Sequence, residues 1–160
     1  MSMIQETIDV EVPLETAYNQ WTQFEEFPRF MHGVEQCRQI DSTHLWWVAN
    51  IGGVTREWGA EIVEQVPNRL IAWRSVGDGA PNAGAVSFED LDSARTRVHL
   101  AMEFVPNDLA EQVGDTLGFV RRRIEGDLER FKHFIEERGI ESGAWRGEVQ
   151  AGVPQANPLD

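Results

Sequence analysis

The sequence has little cysteine, little positive charge and no long apolar run, and each shortage removes a class of protein. Cys37 is the only cysteine in 160 residues, so no intramolecular disulfide and no cysteine-based zinc cluster is available. The four histidines, His32, His44, His99 and His133, are not spaced as metal ligands. Neither a metal nor a cofactor is expected. Lys and Arg number 14 against 27 Asp and Glu, a formal net charge of −13. Binding to nucleic acid or to an anionic membrane surface needs a concentrated positive face, so neither is expected as a partner. The one basic run, Arg121-Arg122-Arg123, is followed at once by Glu125, Asp127 and Glu129 and reads as an ion-paired helix surface. No stretch approaches the roughly 18 apolar residues that span a bilayer, and no charged-then-apolar leader opens the chain. The expectation is a cytoplasmic protein without stable membrane insertion. Catalytic motifs are also missing, with no Ser/His/Asp arrangement apparent. Glu57 and Glu61 stand ~13 Å apart along a strand at ~3.3 Å per residue, too far for a carboxylate pair at a glycosidic bond.

What the chain does have is periodicity. From Asn107 to Arg138 apolar residues fall at Leu109, Val113, Leu117, Val120, Ile124, Leu128, Phe131 and Ile135, in steps of 4, 4, 3, 4, 4, 3 and 4. That is one stripe on a helix of 3.6 residues per turn. Burying such side chains contributes roughly 1.5–3 kcal/mol each before conformational entropy is charged against it. A helix this amphipathic needs one broad apolar surface to lie on.

The preceding chain supplies it. Met3 to Val12 alternates, with Ile4, Ile8, Val10 and Val12 on one side, as in a half-buried strand. Pro13 can open a helix, in which Leu14, Ala17, Tyr18, Trp21 and Phe24 recur at helical spacing. An aromatic knot of Phe27, Phe30 and Met31 follows. Val34 to Ile40 is a second strand. Gly52-Gly53 is a strong hairpin signal. Turning there sets Ile51 opposite Val54, Ala49 opposite Arg56, Trp47 opposite Trp58 and Leu45 opposite Ala60. Opposed residues share a face, so one face is apolar with Arg56 as its single charge. The turn at Pro67-Asn68 sets Ile62 opposite Trp73 and Ala60 opposite Ser75. Gly84, Val86 and Phe88, then Val98, Leu100, Met102 and Phe104, continue the inward face. The order is strand, two short helices, six strands joined by hairpins and one long helix. That is an α+β domain over 1–139, an antiparallel sheet wet on one face and helix-covered on the other. Residues 140–160 read as a tail, with at least the last ten disordered.

These residues resemble the START-like (SRPBCC) helix-grip superfamily. Its bacterial polyketide cyclase/dehydrase-like members, related to coenzyme Q-binding START proteins, look most similar. The similarity is carried by Val12-Pro13-Leu14-Glu15-Thr16-Ala17, by Phe27-Pro28-Arg29-Phe30-Met31, and by Trp58 to Glu64 with Pro67-Asn68-Arg69. It continues through Ile71-Ala72-Trp73-Arg74-Ser75 and Arg123-Ile124-Glu125-Gly126-Asp127-Leu128. It covers roughly residues 3–138. The resemblance implies a curved seven-stranded antiparallel sheet gripping the C-terminal helix, two short helices between strands 1 and 2, and an elongated cavity inside.

Small residues interrupt the inward positions at Ala49, Ala60, Ser75 and Gly84, with Gly114 and Gly118 in the helix. They either partner the tryptophans in a solid core or leave room for a ligand. In the second case the pocket is lined by Trp47, Trp58, Trp73, Ser75, Phe88, Met102, Leu117, Val120 and Ile124, with Phe27, Phe30 and Met31 at its mouth. Aromatic, mostly apolar cavities with few polar groups are the usual form of small-molecule sites. Arg56 either reaches solvent at the rim or orients an oxygenated head group. The leading expectation is binding or transport of a hydrophobic or aromatic small molecule such as a lipid, quinone or polyketide-like compound. The alternatives are an aromatase/cyclase or dehydratase-type enzyme, with Arg56, Ser75 and Tyr18 as its polar candidates, and a regulatory interaction module. Trp46 and Val48 point to the outer face, where they could support a homodimer or be covered by the tail through Trp145.

Overall fold

A computed structural model describes residues 2–51, 53–77, 82–104 and 116–155, apart from the side chains of Ser2, Ile51, Phe104, Thr116 and Leu117. Strand β1 (Ser2–Val10) leads into helix α1 (Leu14–Trp21) and a 3₁₀ helix (Phe24–Arg29). Six strands follow: β2 (Val34–Gln39), β3 (His44–Ile51), β4 (Val54–Val66), β5 (Leu70–Val76), β6 (Asn82–Asp92) and β7 (Arg95–Phe104). Helix α2 (Thr116–Arg138) comes next, then two short strands, β8 (Val149–Gln150) and β9 (Val153–Pro154).

The main sheet runs β1-β7-β6-β5-β4-β3-β2, antiparallel throughout. Its hairpin registers follow the face pattern of the sequence. Trp47 pairs with Trp58, Ala49 with Arg56, Ile62 with Trp73 and Ala60 with Ser75. A one-residue slip would turn every inward side chain to water, which is why alternation specifies register so firmly. Pro13 stands just before the first helical residue, and its carbonyl accepts the Ala17 N–H at 3.1 Å.

The strand count is a correction: among the described residues the sheet has nine strands, seven in its main path and two added by the tail. β4 is long, and its pairing with β3 ends at Glu61. Beyond that point β8 pairs with Glu64 and Gln65, so the tail covers backbone groups that would otherwise form an open edge. The β8–β9 hairpin turns on Ala151 (φ 51°) and Gly152 (φ 76°), two left-handed residues as a two-residue hairpin loop requires. Residues 151–155, assigned from composition to a structureless end, therefore include a turn and a strand; residues 156–160 lie outside the described residues. The tail is further held by Gln20 Nε2 donating to Ser142 Oγ at 3.0 Å and by the Trp145 N–H donating to Thr22 Oγ1 at 3.1 Å.

α2 lies across the inner face with Ile124, Leu128, Phe131 and Ile135 all buried. The stripe residues Leu109 and Val113, together with Gly114, fall outside the described residues. The aromatic core gathers around Trp21, whose ring is 4.9 Å from Phe131 and 5.7 Å from Phe27. Charged groups brace the helix from outside. Arg121 pairs with Glu6 at 2.6 Å, and Lys132 Nζ donates to the Asp9 carbonyl at 3.0 Å. Within the arginine run, Arg121 thus reaches across to β1 rather than along its own helix. Cys37 is buried on the edge strand β2, where burial pushes its thiol up and away from nucleophilic use.

Candidate functional site: a cavity between sheet and helix

Where α2 spans the curved sheet, the side chains do not fill the space. A cavity of about 230 Å³ remains. An apolar cavity of about 150 Å³ already accepts benzene, so there is room here for a molecule of one to two rings. The sheet contributes Trp47, Ala49, Trp58, Trp73, Leu100 and Met102. Helix α2 contributes Phe119, Val120, Arg123, Ile124, Asp127 and Leu128, and Trp21, Phe27, Met31, His32, Gly33 and Val34 close one end. Trp47 and Trp58, cross-strand partners, stack at 6.1 Å with 6° between their planes, and Phe27 lies 5.7 Å from Trp47. The geometry offers a flat aromatic wall opposite an aliphatic helix face.

Of the residues singled out from sequence, Phe27, Met31, Trp47, Trp58, Trp73, Met102, Val120 and Ile124 line this cavity. Phe30 is fully buried in the core, 5.1 Å from Phe131, and Phe88 packs edge-on to Tyr18 at 5.5 Å. Ser75 is half-buried and its Oγ accepts the Asn82 N–H at 3.0 Å. Arg56 is half-buried opposite Ala49 and is not among the lining residues. The Leu117 side chain lies outside the described residues. Tyr18 is buried, with its hydroxyl accepting from Gln65 Nε2 at 3.1 Å. On the outer face, Trp46 is half-buried and its Nε1 donates to Glu57 Oε1 at 3.4 Å.

The polar end of the cavity was not foreseen. It is formed by Arg123, Asp127, His32 and Asn50. Asp127 Oδ1 accepts from the His32 N–H at 3.0 Å and from Arg130 Nη2 at 2.5 Å. Arg123 Nη1 donates to the His32 carbonyl at 2.5 Å, and the guanidinium lies 5.5 Å from the Phe119 ring centroid. The clue was present in the stripe itself. At 100° per residue Asp127 falls about 20° from Val120 and about 100° from Leu128, so an acid sits at the edge of the apolar face. Among the described residues no group of three or more His, Cys, Asp or Glu is placed to hold a metal ion.

Burial pushes the Asp127 carboxyl above the ordinary aspartate range, against the opposing pull of Arg130, the His32 N–H and Arg123. A carboxyl with a raised folded-state pKa binds its proton more tightly folded than unfolded. Its contribution to stability therefore falls as pH rises from the unfolded value through the folded one. In a ¹³C titration its midpoint should lie above 3.8, and Arg130→Met should raise it further because a favourable partner of the anion is removed. A wild-type midpoint at or below 3.8 would refute burial as the dominant cause, and a midpoint that drops in the variant would refute the pull of Arg130.

Residues 10–135 match the family described as "Polyketide cyclase / dehydrase and lipid transport". The chain belongs to this family. An uncharacterized 17.2 kDa protein of Streptomyces lincolnensis, from the melC2-rnhH intergenic region, is 55% identical over 149 residues, covering 93% of this chain and 99% of that one. Among solved structures, the Zhui aromatase/cyclase from Streptomyces sp. R1128 superposes with a TM-score of 0.72 at 17% identity, covering 90% of this chain and 99% of that one. A START superfamily protein from Mycobacterium smegmatis gives 0.62 at 18% identity, covering 80% and 97%. At such identities these structures speak for the shared helix-grip fold. No described helix of this family member is long and apolar enough to cross a membrane.

Proposed function

We propose that this member of the polyketide cyclase/dehydrase and lipid transport family binds a hydrophobic or aromatic small molecule in the cavity between sheet and helix, and carries it. The observation that supports this reading is the lining. Four tryptophans, Leu100, Met102, Val120 and Ile124 line about 230 Å³, with few polar groups among them. Burying apolar ligand surface there is worth roughly 25 cal/mol per Å² of area removed from water. Native mass spectrometry of freshly purified protein should show a non-covalent adduct of small-molecule mass. Val120→Trp, which fills the space from the helix side, should abolish that adduct while leaving the circular-dichroism spectrum unchanged. Protein that is consistently empty and indifferent to added naphthalene-sized compounds would sink the carrier reading.

One observation favours the enzymatic alternative. Asp127 is a carboxyl on the cavity wall with its proton affinity raised by burial. Closing a ring on a poly-β-ketone requires a proton removed from a carbon next to one carbonyl and a proton delivered to the oxygen of another, and such a group can move one of them. Turnover of a poly-β-keto thioester to a cyclised product, lost in Asp127→Asn, would decide for the enzyme.

A further inference from the structure

The cavity is apolar along its length, yet its end is built around a fixed cation. Arg123 belongs to the lining. Its hydrogen bond among the described residues goes to the His32 carbonyl, not to a carboxylate. The neighbouring acid, Asp127, lowers the cost of placing a cation there, while its Oδ1 accepts from Arg130 and the His32 N–H. The turn is shaped to admit the guanidinium: Gly33 has φ +99°, and a Cβ at that residue would overlap Arg123 Nη1. The Phe119 ring covers another side at 5.5 Å. A guanidinium carries five N–H donors in a planar fork, and one carbonyl occupies one of them.

We infer that Arg123 anchors the head group of the ligand, and that the ligand class is an amphipathic planar oxyanion, an apolar ring system or chain ending in a carboxylate. This rests on the carrier reading and narrows it. The apolar body lies against Trp47, Trp58 and Val120, and the carboxylate meets the Arg123 fork at the His32–Gly33 end. An anion enters an apolar cavity only where a positioned cation replaces its water, and Arg–carboxylate pairs do so with two parallel bonds. The guanidinium is already held by the His32 carbonyl and the Gly33 turn, so little freedom is lost on binding.

The test compares 2-naphthoate with 2-naphthalenemethanol, which share a skeleton and differ in charge, by quenching of tryptophan fluorescence in the wild type and in Arg123→Gln. The wild type should favour the acid, and Arg123→Gln should reduce the acid-to-alcohol affinity ratio by roughly tenfold to a hundredfold, the usual weight of a hydrogen bond to a charged group. In the wild type the affinity for the acid should fall with added NaCl while that for the alcohol does not. An unchanged ratio, or an alcohol that binds while the acid does not, overturns the anchor and leaves the carrier reading standing. Failure of both compounds to bind the wild type overturns both. Should Arg123→Gln not fold, the wild-type preference and its salt dependence still decide the matter.

Discussion

Trp21→Ala should destabilise the protein by ~3–5 kcal/mol, the range for removing a buried aromatic without collapse of the site. Urea denaturation of the two proteins would measure it. Trp21 is 2% exposed at the C-terminal end of α1 and meets rings from three other elements: Phe27 and its neighbour Phe30 at 5.7 and 6.1 Å, Phe88 at 6.4 Å and Phe131 at 4.9 Å. The 3₁₀ helix, β6 and α2 are thus joined through one indole. Edge-to-face pairs add about 0.5–1.5 kcal/mol beyond area burial. Trp21 also borders the cavity, so truncation enlarges an existing void rather than opening a new one, and neighbouring side chains have less reason to relax inward. Trp46→Ala is the matched control. That indole is half-buried on the outer face with one long bond to Glu57, and its loss should cost far less. Equal losses from the two substitutions would show that the rings around Trp21 are not the hub of this fold.

The contrast between those two tryptophans also explains what sequence could say. Period-two alternation distinguishes the faces of a strand, and the hairpin signal at Gly52-Gly53 fixes the pairing, so the sequence pattern alone places Trp47, Trp58 and Trp73 on the inner face. The same reasoning could not show which inward small residues face space and which face a neighbour. Ala49 borders the cavity, whereas Ala60 is fully buried in the core and Ser75 receives the Asn82 N–H. Those outcomes depend on sheet curvature and on the axial position of α2, which no local pattern encodes. Nor could alternation reveal the polar end. Arg123 and Asp127 read as part of a charged surface because the basic run 121–123 is followed at once by Glu125, Asp127 and Glu129. A helix lying in a groove is contacted over more of its circumference than one on a flat sheet, so charged residues beside the stripe become site residues. The β8–β9 hairpin carries no strong sequence signal because Ala151-Gly152 is a poor turn sequence whose first residue must accept a positive φ.

Gly84 and Gly59 bring these points to a second measurable contrast. Both are strand glycines, and a β-branched replacement would be favoured by strand propensity alone. Gly84 is on the inner face, paired with Trp73 on one side and Met102 on the other. A Cβ there would stand 2.6 Å from Trp73 Cζ2 and 2.7 Å from Met102 Sδ. Met102 can swing aside, but the Trp73 ring is rigid and 9% exposed, so the indole must move as a body. Both displaced side chains line the cavity, and the empty space is the direction open to them. Gly84→Val should therefore cost ~1–3 kcal/mol, the usual range for overpacking, and should also weaken binding of a naphthalene-sized ligand by narrowing its site. At Gly59 a Cβ would meet Val76 Cγ2 at 3.2 Å and Trp46 at 3.8 Å on the outer face. A few tenths of an ångström of movement by an exposed valine accommodates it, so Gly59→Ala should change stability by about 0.5 kcal/mol or less and leave ligand affinity alone. Denaturation and ligand titration of the two variants test the pairing together. If Gly84→Val is as stable as the wild type and binds as well, then Trp73 and Met102 are not held against this glycine, and the cavity wall is softer than its geometry implies.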